Sequence, residues 1–146
     1  SQNNSKGILA THLTSNGSLG DILSLSARGK DTFLKMKGTE VFRHAVKSMT
    51  EASRKVLKKA NITTDSIDLV IPHQANSRII YAIGDALGIS QDKIICNVNR
   101  YGNTSSASIP IALEEAWNSG YIKENQTVLF TAFGGGLTCG AAVVKF

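Results

Sequence analysis

The sequence predicts an α/β domain in which a mixed, mostly parallel β-sheet carries helices on both faces. Short apolar runs alternate with segments whose apolar residues recur at helical spacing, and the resulting order is β-α-β-α-β-α-β-β. Alternation of strands with helices is typical of parallel sheets that are buried on both faces. A run of glycines separates the last two apolar stretches. We therefore expect the last two strands to run antiparallel.

The first part of the chain is predicted to hold two strands and one long helix. A weakly alternating stretch at 7–13 lies beside glycine-containing turns and is predicted to be a strand, and "GDILSL" at 20–25 is predicted to be a shorter one. "ARGKD" at 27–31 is interpreted as a loop. From 38 to 60 apolar residues recur at helical spacing without a proline, which predicts an amphipathic helix.

Two further apolar runs, "IDLVI" and "KIICNV", favour strands covered on both faces. We expect a helix after the first run, capped by Asn76 or Ser77 and ended by Gly88. A second helix is predicted after "RYGN", and Pro110 requires that it either starts late or is bent. "TVLFTAF" and "LTCGAAVVKF" are predicted to be the final pair of strands.

Composition indicates one globular domain. A chain of 146 residues with 42% hydrophobic and 18% charged residues is large enough to bury a core. No apolar run is long enough to span a bilayer, so we expect no membrane partner. "SQNNSKG" has neither an initiator Met nor a signal-peptide pattern, and we interpret the chain as part of a longer protein. Cys96 and Cys139 do not make a disulfide framework, which favours a reducing compartment.

The net charge of +5 is concentrated in one segment. Between 35 and 59 eight cations face only Glu40 and Glu51. Two interpretations stay open: a solvated basic helix face, or a surface for an anionic partner. Aromatic residues are few and are not interleaved with the cations, so no nucleic-acid partner is expected. The cations are Lys35, Lys37, Arg43, Lys47, Arg54, Lys55, Lys58 and Lys59.

Polar or glycine-rich junctions follow three of the predicted strands. His73, Asn103 and the glycines at 134–136 each come after a strand end. In open α/β sheets ligands bind beyond the carboxyl ends of the strands, so we expect these junctions to converge. A neutral imidazole and a carboxamide both donate hydrogen bonds without carrying charge. Together they predict an oxyanion hole for an enolate or a tetrahedral intermediate.

A nucleophile is missing from this constellation. Cys96 is interpreted as a core residue and Cys139 lies inside the last strand, and neither is predicted at a helix N-terminus, where a thiolate is stabilised. No metal site is predicted, because the three histidines are scattered and lack partners at ligand spacing. The glycines after Phe133 fit either a tight hairpin turn or a close backbone approach to a ligand. Phe133 would then wall an apolar pocket.

Five sequence motifs are distributed over essentially the whole chain. They are "GILATHLTSNGS", "KMKGTEVFRHAV", "PHQANSRI", "NRYGNTSSASIPIALEEA" and "FGGGLTCGAAVV". With these motifs the chain resembles the C-terminal half of β-ketoacyl-acyl-carrier-protein synthase III, a condensing enzyme. The resemblance implies a thiolase fold of two similar halves, each with the order predicted above. It implies that residues 1–146 form the second half and that the nucleophilic cysteine belongs to the first, outside this chain.

The resemblance also implies a two-stage reaction. A cysteine takes an acyl group from acyl-CoA, usually acetyl-CoA, and malonyl-acyl-carrier protein then loses CO₂ and attacks the acyl-enzyme. His73 and Asn103 match the family's catalytic residues, which hold the enolate oxygen. The thioesters of coenzyme A and of phosphopantetheine are substrates, and no cofactor is implied. The implied partners are acyl-carrier protein, acyl-CoA, the N-terminal half and a second copy in a homodimer.

Further site residues are implied by the same matches. Phe133 matches an aromatic wall, and the carrier-protein surface is matched by Arg43 and Arg78. Cys139 departs from the family, since relatives often carry a large aromatic there, and the loop "SARGKDTF" is short. The positions that match the coenzyme A channel are Phe42, Ala75 and Asn76. Those that match the loop beside the nucleophile are Gly134, Gly135 and Gly136.

Two alternatives stay open at this point. Chalcone-synthase-like enzymes share the Cys, His and Asn set, but they usually have a proline after the histidine and within the glycine loop. Here Gln74 follows His73 and "FGGGL" has no proline. The other alternative is a non-catalytic subunit of thiolase fold that binds acyl chains or carrier protein. The expected location is the bacterial cytoplasm, or alternatively a plastid.

Overall fold

A computed structural model describes residues 6–25 and 33–146. The loop predicted at 27–31 lies outside these residues, as does most of "SARGKDTF". The strands and helices, in chain order, are β1 (Gly7–Ser15), β2 (Leu23–Leu25), β3 (Leu34–Met36), α1 (Gly38–Ala60), β4 (Leu69–Pro72), α2 (Ser77–Leu87), α3 (Val98–Tyr101), α4 (Ser108–Asn118), β5 (Thr127–Gly134) and β6 (Thr138–Lys145). In the described ranges no helix combines the length and the apolar character needed to cross a bilayer.

The main sheet has four strands in the order β1-β6-β5-β4. It is mixed, as predicted, but it has fewer parallel neighbours than expected. β4 and β5 run parallel, whereas β6 runs antiparallel to both β5 and β1. The difference arises because β1 pairs with β6 from the far end of the chain instead of joining the parallel strands. The glycine turn joins β5 to an antiparallel β6, as predicted.

The predicted strand "KIICNV" is not a strand in the structure. Its contact with β4 is one parallel bridge between Val70 and Ile94 and one hydrogen bond of 2.9 Å from the Ile95 N–H to the Val70 carbonyl. The side chain of Gln74 takes the place of further pairing. Its NH₂ donates to the Ile95 carbonyl at 3.1 Å and its oxygen accepts from the Asn97 N–H at 2.8 Å. Because a side chain satisfies these backbone groups, the segment leaves the sheet.

The predicted strand "GDILSL" is only half correct. Residues Gly17–Ile22 form a 3₁₀-helix, and the strand is reduced to β2, which pairs with β3 in a separate two-stranded sheet. The Asn16 side chain explains the change, because its oxygen accepts from the Ser18 N–H at 3.2 Å and caps the helical turn. Local capping by asparagine competes with strand formation.

The three longer helices begin and end where local signals predict. α1 spans the predicted range and ends at Asn61, which adopts a left-handed conformation with φ of 55°. The Asn76 side chain caps α2 by accepting from the Ile79 N–H at 3.0 Å, and Gly88 ends the helix with φ of 70°. α4 starts late, after a 3₁₀ turn, so that Pro110 lies in its first turn. At that position the missing proline N–H has no intrahelical partner to lose.

The sheet is covered on both faces, which confirms the predicted layering. Val70 and Leu129 pack with residues of α1 and α2, whereas Leu69, Ile71 and Val128 pack with residues of α4. Neighbouring residues of one strand therefore enter opposite cores. Burial of each such side chain stabilises the fold by about 1.5–3 kcal/mol. The two cores hold the carboxyl ends of β4 and β5 side by side.

Candidate active site

A cavity of about 1020 Å³ lies beyond the carboxyl ends of β4 and β5. It is reached by residues that follow β4, by the turn before α4 and by the end of β5, so the three predicted junctions converge on it. Most of its other lining residues are apolar, and β2, β3 and the first half of α1 supply more than half of these apolar residues. The predicted site residues that line it are His73, Ala75, Asn76, Asn103, Phe133, Gly134 and Gly135.

His73 is held by its backbone and by one ring nitrogen. Its N–H donates to the Thr131 carbonyl on β5 at 2.8 Å, and its own carbonyl accepts from the Ala75 N–H at 2.9 Å. Its Nδ1 lies 2.6 Å from the Ser108 hydroxyl, which leaves Nε2 for a ligand. Partial burial lowers the pKa of His73 below its ordinary value, because a charged imidazole is poorly solvated there. The ring is therefore neutral at neutral pH.

Asn103 is presented by a turn that requires glycine. Gly102 ends α3 with φ of 69°, a conformation that side-chain-bearing residues rarely adopt. The Asn103 side-chain oxygen accepts from the Ser105 N–H at 2.9 Å. Because an N–H donor must face the oxygen and not the NH₂, this bond fixes the orientation of the amide. The NH₂ is left to donate to a ligand.

The carboxylate of Glu115 on α4 anchors the segment that leads to Asn103. It accepts from the Asn97 NH₂ at 2.6 Å, from the Arg100 guanidinium at 2.8 Å and from the Tyr101 hydroxyl at 2.5 Å. These hydrogen bonds lower the pKa of Glu115 below its ordinary value, and the bond from Asn97 has the largest effect. The short helix α3 is thus tied to α4 directly before the turn.

The glycine loop has both a structural and a cavity-facing part. Gly136 has φ of 132°, and a Cβ there would come within 3.0 Å of the Thr138 side chain. Asn16 and Leu137 exchange two backbone hydrogen bonds of 2.8 and 3.0 Å, which pin the loop to the segment after β1. Gly134 and Gly135 line the cavity, but Gly136 does not. A tight turn therefore accounts for the third glycine.

Besides Gly136, three of the predicted residues do not line the cavity: Phe42, Arg43 and Arg78. Phe42 packs against the core under Arg78, whose guanidinium carbon lies 5.3 Å from the centre of the ring. Arg43 and Arg78 are both exposed. Arg78 lies within one turn of two residues that line the cavity, Asn76 and Ile79, and Arg43 lies on α1 between the cavity-lining Val41 and Ala45. The remaining cations of the basic segment are also exposed.

Neither cysteine is placed as a nucleophile. Cys139 lines the cavity but is buried, and burial raises the pKa of its thiol to about 11. The thiol is therefore protonated at neutral pH and is a poor nucleophile. Cys96 is half-buried and packs against the core, as predicted.

Sequence reasoning missed three residues that hold the site together. Gln74, Ser108 and Glu115 each bond to a group distant in the chain. Gln74 had a visible signal, since a polar residue directly after a buried strand must find partners. Ser108 was hidden in a run of small residues, and Glu115 had the ordinary pattern of an exposed helix residue.

Comparison with known proteins identifies the family. Residues 57–146 match the family model described as 3-oxoacyl-[acyl-carrier-protein (ACP)] synthase III C terminal. The chain belongs to this family. A protein of Staphylococcus aureus (strain Newman) named beta-ketoacyl-[acyl-carrier-protein] synthase III is 49% identical over 97% of this chain and 44% of its own length. A protein of the same name from Nitratidesulfovibrio vulgaris (strain DP4) is 47% identical over 92% of this chain and 44% of its own.

Solved structures confirm the fold. The 3-oxoacyl-[acyl-carrier-protein] synthase III of Aquifex aeolicus VF5 is similar with a TM-score of 0.93 and 45% identity, over 100% of this chain and 46% of that one. The synthase III of Thermus thermophilus gives a TM-score of 0.91 and 40% identity, over 99% of this chain and 47% of that one. The predicted family and thiolase fold are therefore confirmed. The chain spans about half the length of these relatives.

Proposed function

We propose that the protein containing this chain is a β-ketoacyl-acyl-carrier-protein synthase III. It condenses an acyl-CoA, usually acetyl-CoA, with malonyl-acyl-carrier protein and releases CO₂. One observation carries the proposal: His73 and Asn103 line one cavity, and each has an uncharged side-chain nitrogen left for a ligand. The family and the names of the relatives supply the reaction class.

The two donors suit the charge that decarboxylation creates. When the bond between the malonyl methylene carbon and its carboxylate breaks, the electron pair passes into an enolate whose oxygen becomes negative. His73 Nε2–H and the Asn103 NH₂ stabilise that oxygen, and loss of one such donor typically costs about 10²–10³ in rate. The enolate carbon then attacks the acyl thioester, and the cysteine leaves as a thiolate.

The remaining predicted residues take supporting roles in this proposal. Phe133 and the apolar lining exclude water and disfavour the ionised malonyl carboxylate, which promotes its loss as CO₂. Ala75 and Asn76 border the path of the pantetheine arm, with Phe42 beneath Arg78 beside it. In this proposal the nucleophilic cysteine comes from the N-terminal half, and the protonated thiol of Cys139 supports this assignment. We propose a homodimer in the bacterial cytoplasm that needs no cofactor.

Separate assays of the two half-reactions test this proposal in the full-length protein. His73→Ala and Asn103→Ala should lower malonyl decarboxylation, measured as release of labelled CO₂, by about 10²–10³. Transfer of the acyl group from acyl-CoA to the protein, read by mass spectrometry, should survive better because the pair serves the later enolate. His44→Ala on α1 and Asn118→Ala at the far end of α4 are matched controls.

Three results would count against the proposal. Equal loss of both half-reactions in either variant would contradict the division of roles. Failure of the wild-type protein to retain any acyl group after incubation with acyl-CoAs would favour a non-catalytic subunit. Turnover with malonyl-CoA in place of malonyl-acyl-carrier protein would favour the chalcone-synthase-like alternative.

The partner is tested through Arg78. Acyl-carrier proteins are acidic, so cations beside the cavity should speed association, and salt should screen the effect. Arg78→Glu should raise the KM for malonyl-acyl-carrier protein while acyl transfer from acyl-CoA changes little, and added salt should shrink the difference. Lys58→Glu at the other end of α1 is the control. An unchanged KM at low salt would show that the basic residues form only a solvated face.

A further inference from the structure

Ser108 is the buried partner of the histidine in the cavity. It is the first residue of α4 and is 2% exposed. Its hydroxyl oxygen lies 2.6 Å from Nδ1 of His73, and it also accepts from the Gln74 N–H at 3.2 Å. In the described chain these are the two hydrogen bonds of this hydroxyl.

The donors and acceptors around Ser108 determine whether its hydroxyl donates to His73 or accepts from it. A serine hydroxyl has one hydrogen and two lone pairs, and the Gln74 N–H occupies one lone pair. If Nδ1 carried the imidazole hydrogen, it would donate to the second lone pair, and the buried hydroxyl hydrogen would lack an acceptor. Buried donors without partners are rare because they are costly. The satisfied arrangement has the hydroxyl donating to an unprotonated Nδ1.

We propose that Ser108 is a positioning residue whose hydroxyl donates to Nδ1 of His73 and thereby holds the imidazole hydrogen on Nε2. Backbone hydrogen bonds to Thr131 and Ala75 fix the main chain of His73, and the contact with Ser108 keeps Nδ1 turned toward α4. Nε2 is then a fixed donor. The catalytic importance of this donor rests on the proposed function, but the position of the hydrogen does not.

The test reads the tautomer directly, by ¹⁵N NMR of the full-length protein labelled at histidine. The His73→Gln variant identifies the His73 signals. In the wild-type protein, Nε2 of His73 should have the shift of a protonated ring nitrogen and Nδ1 that of an unprotonated one. Ser108→Ala should produce a mixture of tautomers, whereas Ser108→Thr, which keeps a hydroxyl, should retain the wild-type pattern. Ser119→Ala, on the exposed end of the same helix, should change nothing.

Kinetics provide the second measurement. Ser108→Ala should lower malonyl decarboxylation by about 10–100-fold, the range found when a group that orients a metal-bound histidine is removed. Acyl transfer should change little, and Ser108→Thr should recover most of the rate. A purely structural role for Ser108 would move thermal stability without moving the tautomer, and this result would overturn the proposal.

The wild-type spectrum decides the main point even if a variant fails to fold. A hydrogen on Nδ1 of His73 in the wild-type protein would refute the inference. A hydrogen on Nε2 in a protein that does not decarboxylate malonyl-acyl-carrier protein would refute the proposed function and leave the inference intact. The two failures are therefore distinguishable.

Discussion

Replacing Gln74 by leucine removes three hydrogen bonds from one buried side chain. Gln74 is 1% exposed, and its amide bonds to the Pro72 carbonyl at 2.8 Å, the Ile95 carbonyl at 3.1 Å and the Asn97 N–H at 2.8 Å. Leucine has a similar volume, so the main loss is the hydrogen bonds. At about 0.5–1.5 kcal/mol for each bond, the free energy of unfolding should fall by about 3 kcal/mol.

Urea unfolding of the full-length protein, followed by circular dichroism, measures this loss. With a slope of about 1–3 kcal/mol per molar urea, the midpoint should fall by about 1–3 M. Gln126→Leu is the control, because Gln126 makes one such bond, of 2.8 Å to the Lys123 N–H in an exposed turn. Its effect should be about a third as large. A Gln74→Leu midpoint equal to that of the wild type would show that Gln74 does not replace a strand.

Gln74→Glu adds a pH test of the same reasoning. A protonated glutamic acid keeps one O–H donor for the carbonyls of Pro72 and Ile95. An ionised one would place a buried negative charge beside both carbonyl oxygens, which is unfavourable. Its folded pKa should therefore be raised above the unfolded value of about 4.3. The variant should be closest to wild-type stability below that pH and should lose stability as the pH rises through the folded pKa. A pH-independent difference between the two proteins would contradict this account.

Three further predictions concern the surroundings of the site. Glu115→Ala should loosen the turn before Asn103 and lower malonyl decarboxylation more than acyl transfer. Glu114→Ala, on the exposed side of α4, should lower neither rate. Equal effects of the Glu115 and Glu114 variants would exclude an anchoring role for Glu115. Cys139 should resist iodoacetamide at pH 8 until the protein is unfolded, because the pKa of its thiol is raised to about 11, and rapid labelling of its peptide in the native protein would show that the thiol is accessible. Because the pKa of His73 is lowered in the folded state, the unfolded state binds more protons at pH values between the folded pKa and about 6.5. The free energy of unfolding should therefore rise with pH up to about 6.5. A His73→Gln variant should reduce that slope, and an unchanged slope would assign it to other groups.

Local patterns predicted most of the helices and several of the strands. The signals for these helices act within a few residues and can therefore be recognised in the sequence. They are the apolar spacing of α1, the cap at Asn76 and the helix end at Gly88. "KIICNV" has the composition of a buried strand, but its backbone partners are supplied by Gln74, which lies elsewhere in the chain. No pattern within the segment reports such a partner.

The candidate site was predictable only in outline. Predicted strand ends pointed to His73 and Asn103, although the strand predicted before Asn103 does not form, and the family resemblance supplied their chemistry. The orientation of each group depends on contacts that only the folded chain reveals, such as the contact between His73 and Ser108 over 35 residues of sequence. Phe42 shows the converse, since a matched position came to lie under Arg78 instead of in the cavity lining.

The pairing of β1 with β6 has a consequence for how the chain is made. Gly7 lies opposite Lys145, so β1 receives this partner only after the intervening chain and β6 have been made. Contacts between distant parts of a chain are slow to form, because a long loop must close before they contribute. Until β6 is made, β1 lacks the partner that it has in the fold, and an unpaired strand edge is a hazard for aggregation. We expect nascent chains that stop before β6 to be sensitive to protease at β1 and to need chaperones until β6 is made.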